Sequence, residues 1–132
     1  MSAKNFLDKK NKIAIVGVSA NTQKWNSKIY RELKSAKYCV YAVNPKYKKI
    51  GQDKCYQKLD VLPKSPDVVI TIIPPKITEQ VVKQCKKLGI KKVWMQPGSE
   101  SKKAIEFCKN NNIEIVYNAC FVVDGLKKTG II

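Results

Sequence analysis

Lys12-Ile13-Ala14-Ile15-Val16-Gly17-Val18-Ser19 decides the fold. Ile13 to Val16 is continuously apolar, the pattern of a strand buried on both faces, as in a parallel sheet. Gly17 ends the run and lets the backbone turn sharply. A helical pattern follows over Asn26–Ala36, with Ile29, Tyr30, Leu33 and Ala36 on one face. Strand, glycine turn and helix in that order predict the opening of a βαβ unit.

The same alternation continues outward. Tyr38–Val43 predicts a second strand, stopped by Asn44-Pro45. Lys46–Gly51 reads as a basic loop, Lys54–Tyr56 as a short edge strand and Leu59–Leu62 as a single turn before Pro63. Asp67–Ile73 is the clearest strand, and Pro74-Pro75 ends it because proline cannot donate to a ladder. Thr78–Leu88 predicts a helix with Thr78 as N-cap, Val81, Val82, Cys85 and Leu88 on its apolar face, and Gly89 as its stop. Lys92–Met95 is a strand ending at Gln96-Pro97-Gly98. A helix capped by Ser99 or Ser101 then reaches Asn110 with Ala104, Ile105 and Cys108 inward, and Ile113–Tyr117 is the last strand. The predicted fold is α/β: a Rossmann-like, doubly wound, mainly parallel sheet in a single domain over residues 1–132, with its core at about 5–123.

Composition excludes several chemistries. Histidine is absent, which removes Ser-His and Cys-His dyads and histidine metal ligands together. Cys39, Cys55, Cys85, Cys108 and Cys120 are odd in number, widely spaced and without a CxxC pair, so they read as reduced thiols in a cytoplasmic protein. Cys85, Cys108 and Cys39 read as core, and Trp25 and Trp94 as packing residues. No apolar run is long enough to cross a membrane, and the polar segment Met1–Lys12 lacks the apolar stretch of a secretory signal, so no membrane partner is expected. The formal charge is +16, which attracts polyanions. Yet Arg31 is the sole arginine among 26 basic residues, and the lysines are spread along the chain. Arginine supplies the bidentate contacts of specific readers, so no specific nucleic-acid partner is expected.

In a doubly wound sheet, ligands bind outside the carboxyl ends of the strands, near the point where strand order reverses. The segments there are Gly17-Val18-Ser19 through Lys24, Asn44-Pro45-Lys46, Ile73-Pro74-Pro75, Gln96-Pro97-Gly98 and Asn118-Ala119-Cys120. They hold amides, hydroxyls and lysines and no paired carboxylates, which favours holding an anion over acid–base catalysis. Amides of the Gly17 turn and the following helix dipole favour a phosphate, which Ser19 and Lys24 can supplement. The turn is not GxGxxG, and no acid follows the second strand to hold a ribose hydroxyl, as NAD-binding folds require. A lysine at Lys46 instead attracts a ribose phosphate, as in coenzyme A or NADP. Pro74-Pro75 offers a rigid apolar wall to a planar base.

Four segments together, IAIVGVSANTQKWNSKIY, YAVNPKYKKIG, DVVITIIPPKITEQVVKQCKKLGIKKVWMQPGSE and IEIVYNACFV, resemble the coenzyme A-binding domain family, stand-alone relatives of the N-terminal domain of succinyl-CoA synthetase α subunits. The resemblance implies Gly17, Ser19 and the turn amides on the pyrophosphate, with Lys24 beside them. It implies Asn44, Pro45 and Lys46 near the adenosine and its 3′-phosphate, and Ile73, Pro74 and Pro75 bordering the nucleotide. Gln96 and Gly98 match the next loop, and Asn118 and Cys120 the pantetheine end. Trp25-Asn26-Ser27 departs from the family, which often has a glycine or a serine–tyrosine pair there. The ligase relatives need a phosphorylated histidine and a second domain, which this sequence does not show. Non-catalytic binding of coenzyme A or an acyl-CoA, with an unidentified protein partner, is therefore the expectation. An NAD(P)-binding domain of a redox protein or sensor and a basic nucleic-acid-binding module are the alternatives.

Overall fold

The computed structural model describes residues 3–132; Met1 and Ser2, which begin the polar segment Met1–Lys12, lie outside the described residues. The elements run α1 (Lys4–Leu7), β1 (Lys12–Val16), α2 (Trp25–Ser35), β2 (Cys39–Val43), β3 (Lys49–Ile50), β4 (Asp53–Tyr56), a 3-10 turn (Leu59–Val61), β5 (Val68–Thr71), α3 (Pro75–Leu88), β6 (Lys92–Met95), α4 (Lys102–Asn110), β7 (Glu114–Val116) and a π-helical segment (Phe121–Lys127). The sheet has seven strands in the order β3-β4-β2-β1-β5-β6-β7. All pairings are parallel except the short β3–β4 ribbon. The chain winds outward from β1 in one direction and from β5 in the other, so the switch point lies between them. This is the predicted doubly wound, Rossmann-like architecture.

Each central strand feeds both faces. Ile13 and Ile15 join Ile29, Leu33, Ile70, Trp94, Phe121 and Leu126 on the α2 side. Ala14 and Val16 join Val69, Val81, Val82, Met95, Ala104 and Cys108 on the α3–α4 side. Fully burying an aliphatic side chain stabilises by about 1.5–3 kcal/mol, and Ile13, Ile15, Ile29, Leu33 and Ile70 are all fully buried. The aromatic knot of Phe6, Trp94 and Phe121 closes the first face, with ring centroids 5.9 and 4.9 Å apart.

Several expectations need correction. Lys54–Tyr56 is not an edge strand, because β3 pairs outside it, within the stretch read as a basic loop. Two-residue strands of lysine and isoleucine carry no periodicity to read. Cys39 is exposed rather than core: it is the first residue of β2, a strand whose burial is complete only from Ala42 onward. Trp25 is 49% exposed and Leu88 39%, each on the outer side of its helix. Leu126 is part of the hydrophobic core, where the π-helical segment folds back on Trp94 and Leu7.

Thr78 is not an N-cap. Helix α3 starts three residues earlier, with Pro75 in its first turn and Pro74 at the cap. Proline suits that position because the first-turn N–H has no helical partner anyway. Thr78 is thereby fully buried, with its hydroxyl unpaired. A buried unsatisfied hydroxyl costs about 1–3 kcal/mol. Thr78→Val, of the same shape, is expected to raise the melting temperature by about 3 °C. A comparable fall in thermal denaturation would show that the hydroxyl has a partner.

Candidate functional site

Because six strands run parallel, the loops after β1, β2, β5, β6 and β7 all leave from one sheet edge. The two that flank the switch point follow β1 and β5. Gly17 holds them together. Its φ is +107°, and a Cβ added there would lie 2.2 Å from the Ile72 carbonyl oxygen and 2.8 Å from Ile73 Cγ2. The Gly17 N–H donates to the Val43 carbonyl at 2.8 Å, so the turn also reaches the end of β2. The first glycine is therefore fixed by its neighbours before any ligand is considered.

Two asparagines lock the loops. Asn26 Nδ2 donates to the carbonyls of Gly17 at 2.9 Å and Ile72 at 3.2 Å. Asn44 Nδ2 donates to the Val18 carbonyl at 2.9 Å, while its Oδ1 accepts from the Lys46 N–H at 2.9 Å. A buried carbonyl without a partner is costly, so these side chains satisfy the turn and set its shape. Ser19 Oγ accepts from the Asn21 N–H at 3.1 Å, and Asn21 Oδ1 from the Gln23 N–H at 3.0 Å. The sole arginine, Arg31, donates to the Thr22 carbonyl at 3.2 Å. Helix α2 then begins at Trp25 with no side-chain cap on its first turn. That end of the helix carries partial positive charge.

The predicted residues fall into distinct groups. Gly17, Ser19, Asn44 and Ile73 meet at the switch point, with Lys24, Pro45, Lys46, Pro74 and Pro75 exposed around it. The Val18 side chain is fully buried, which leaves only its backbone to face a ligand. Gln96 is turned inward: Oε1 accepts from the Phe121 N–H at 2.7 Å, and Nε2 donates to Cys120 Sγ at 3.3 Å. Its task is to hold the last loop. Gly98 and Ile73, with Asn26, Pro74 and Pro97, line an open depression of about 280 Å³. Asn118 is exposed in the left-handed region at φ +60°, a conformation asparagine tolerates. Cys120 is buried, and its N–H donates to Asp124 Oδ2 at 2.7 Å. That bond first, and Lys128 second, hold the Asp124 carboxyl below its ordinary range. Burial pushes the Cys85 and Cys108 thiols up to about 12, so neither is a reactive thiol.

Asn26, Ser99 and a set of glutamines were not read from the sequence as functional. Of the two cap candidates, Ser99 and Ser101, it is Ser101 that caps α4, accepting from the Ala104 N–H at 3.0 Å. Ser99 instead joins the ends of β5 and β6, with Oγ 2.9 Å from Thr71 Oγ1 and 2.7 Å from the Gln96 carbonyl. Beyond Pro45, a pocket of about 150 Å³ lies on the α3 face, lined by Val43, Pro45, Ile77 and Val81 with the amides of Gln57, Gln80 and Gln84. Its lining is apolar with a rim of both donors and acceptors, the chemistry that accepts a flat heterocycle. Among the described residues, no group of three or more histidines, cysteines or acids is placed to hold a metal ion. Among the described residues, no helix is long and apolar enough to cross a membrane.

A family model described as a CoA binding domain matches residues 11–125. Among curated proteins, an ADP-forming acetate–CoA ligase of Archaeoglobus fulgidus is 25% identical over 118 residues, 82% of this chain and 17% of that protein. A second such ligase from the same organism is 30% identical over 125 residues, 91% of this chain and 18% of that protein. The chain thus spans less than a fifth of the length of these relatives. Among solved structures, a conserved hypothetical protein from Pyrococcus furiosus is 39% identical, with a TM-score of 0.81, over 85% of this chain and 97% of that one. A hypothetical protein from Pyrococcus horikoshii is 31% identical, with a TM-score of 0.88, over 94% and 87% respectively.

Proposed function

We propose that this chain, which belongs to the CoA binding domain family, binds coenzyme A or an acyl-CoA at the carboxyl ends of its strands without catalysing a reaction there. The observation that carries the reading is the Gly17 turn. It is pressed against Ile72 with no room for a Cβ, tied by Asn26 and Asn44, and followed by an uncapped helix start. Such a turn is rigid before ligand arrives, so its amides need little ordering to meet a pyrophosphate.

The remaining roles follow from position. Lys24 stands at the helix start, where a second cation adds to the dipole. Lys46, exposed after β2, suits the 3′-phosphate of the adenosine. The base fits the pocket between Pro45, Ile77 and Val81, within reach of the glutamine amides. Ile73, Pro74 and Pro75 border the nucleotide, and Gly98, in one depression with Ile73 and Pro74, leads toward Asn118 and Cys120 at the pantetheine end. No paired carboxylates line these loops, and the sequence holds no histidine, so binding is the chemistry they support. The ligase activity of the longer relatives is not assigned to this chain. The likeness to a domain of such ligases supports a protein partner that uses the bound coenzyme.

Calorimetry and thermal shift with coenzyme A, dephospho-coenzyme A, NAD, NADP and ATP test the reading. Coenzyme A at one hundred times its dissociation constant is expected to stabilise the fold by about 2.7 kcal/mol. Lys46→Gln is expected to weaken coenzyme A about fivefold while leaving dephospho-coenzyme A unchanged. A clear shift with NAD and none with millimolar coenzyme A would overturn the assignment.

A further inference from the structure

The β2–β4 side of the sheet carries a second surface beside the pocket assigned to the base, with which it shares Gln57 and Lys58. On the α3–α4 face, buried residues come from β1, β5, β6 and β7, while β2 contributes Val43 and β4 contributes none. Side chains alternate along a strand. Ala42 and Cys55 point into the α2-side core, so Tyr41, Lys54 and Tyr56 stand on the other face, where helices do not reach. Tyr41 and Tyr56 are half-buried side by side, ring centroids 6.0 Å apart and nearly perpendicular. Lys54 Nζ lies over the Tyr56 ring, 5.1 Å from its centre, so a base that stacks there moves this flexible side chain off the face. A groove of about 330 Å³ runs beside them, lined by Lys48, Lys54, Lys58, Tyr56, Gln57 and the half-exposed Val61.

Charge is strongly one-sided here. Lys46, Lys48, Lys49, Lys54 and Lys58 are all exposed. Of the acids nearby, Asp53 is engaged by Lys34 at 3.0 Å and by the Tyr30 hydroxyl at 2.8 Å, and Asp60 by Lys58 at 4.0 Å. A second copy of this chain, itself at +16, would be repelled from such a surface.

We infer that this open sheet face binds single-stranded nucleic acid without sequence preference, phosphates on the hairpin lysines and bases on Tyr56 and Tyr41. Tyrosine faces on a sheet, flanked by cations, suit bases because every base has a π face to stack. The cations are lysines, which act as point charges and read no base edges, so the binding is tolerant of sequence. An acidic polypeptide would use the lysines and gain little from the rings.

The test measures polarisation of a labelled oligothymidylate of about 20 nucleotides across a salt series. The triple change Lys48→Gln, Lys49→Gln, Lys54→Gln is compared with a charge-matched control on α4, Lys102→Gln, Lys103→Gln, Lys109→Gln. The hairpin variant is expected to lose tenfold or more in affinity and to lower the log–log salt slope by about 2, since each lysine on a single strand contributes about 0.7. The α4 control is expected to change less than twofold. Tyr56→Leu, checked for folding by circular dichroism, is expected to cost about fivefold or more, the loss of one stacked base. Equal losses in the two lysine variants would overturn the site as diffuse charge. An unaffected Tyr56→Leu with a weakened hairpin variant would overturn it in favour of an acidic protein partner. No binding at about 150 mM salt would overturn it outright.

Discussion

Gly17→Ala is expected to lower stability by about 3–5 kcal/mol, a fall in melting temperature of about 10–15 °C for a domain of this size. Two costs add. The backbone at φ +107° is a region that L side chains rarely adopt, which costs about 1–3 kcal/mol. The new methyl also meets the Ile72 carbonyl oxygen at 2.2 Å and Ile73 Cγ2 at 2.8 Å. Both belong to the loop after β5, so relief means moving that loop away from the switch point. Overpacking of this kind costs about 1–3 kcal/mol. Gly51→Ala separates the terms, because Gly51 has φ +60° with nothing within 4 Å of its Cβ position. Thermal denaturation should show a drop of only about 3 °C for Gly51→Ala. Equal drops at the two positions would mean that strain acts alone and that the β1 and β5 loops are not wedged together. Coenzyme A affinity gives a second readout, since the wedge sets where the turn amides point. It should fall in Gly17→Ala beyond what the loss of folded protein explains.

That glycine was legible from the sequence as the end of a buried strand, and so was the doubly wound order. Ile13–Val16, Val68–Thr71 and Lys92–Met95 are runs whose apolar continuity only a two-faced parallel sheet can use. What the glycine does was not legible. The Ile72 carbonyl that forbids a Cβ lies 55 positions away in the chain. Asn26 was noticed only as a departure from a family pattern, yet it ties the same two loops. Its signal is an amide in the first turn of a helix that follows a glycine turn. Gln96 shows the opposite failure. A polar residue after a strand reads as ligand-facing, but alternation along β6 carried it inward, where the Phe121 N–H needed an acceptor. The segment after Cys120 escaped because a π-helix widens the spacing and breaks the 3.6-residue period on which helix reading depends. Helix α1 escaped because four residues are too few to show a period.

The π-helical segment is also where the second large effect is expected. Trp94→Ala should destabilise the protein by about 3–5 kcal/mol, the cost of deleting a large core aromatic. Trp94 is 2% exposed and packs edge-on against Phe6 and Phe121, with Gly125 so close that a Cβ there would lie 3.4 Å from Cη2. It thereby joins the N-terminal helix, the sheet and the C-terminal segment in one contact. Its indole N–H also donates to the Ala119 carbonyl at 2.8 Å, next to Cys120. Trp94→Phe divides the two contributions. The ring stack is largely kept, the carbonyl loses its donor, and a cost of about 1–3 kcal/mol is expected from the unpaired group. Chemical denaturation with both variants measures the difference. A Trp94→Phe variant as stable as the parent would show that solvent satisfies Ala119 and that the indole acts by packing alone. The hydrogen bond also predicts a functional split. Ala119 sits between Asn118 and Cys120 at the end assigned to the pantetheine, far along the sheet edge from Lys46. Loosening it should weaken coenzyme A in Trp94→Phe and leave the binding of adenosine 3′,5′-bisphosphate, which lacks the pantetheine, unchanged. If both ligands weaken together, the last loop supports the whole site rather than one end of it.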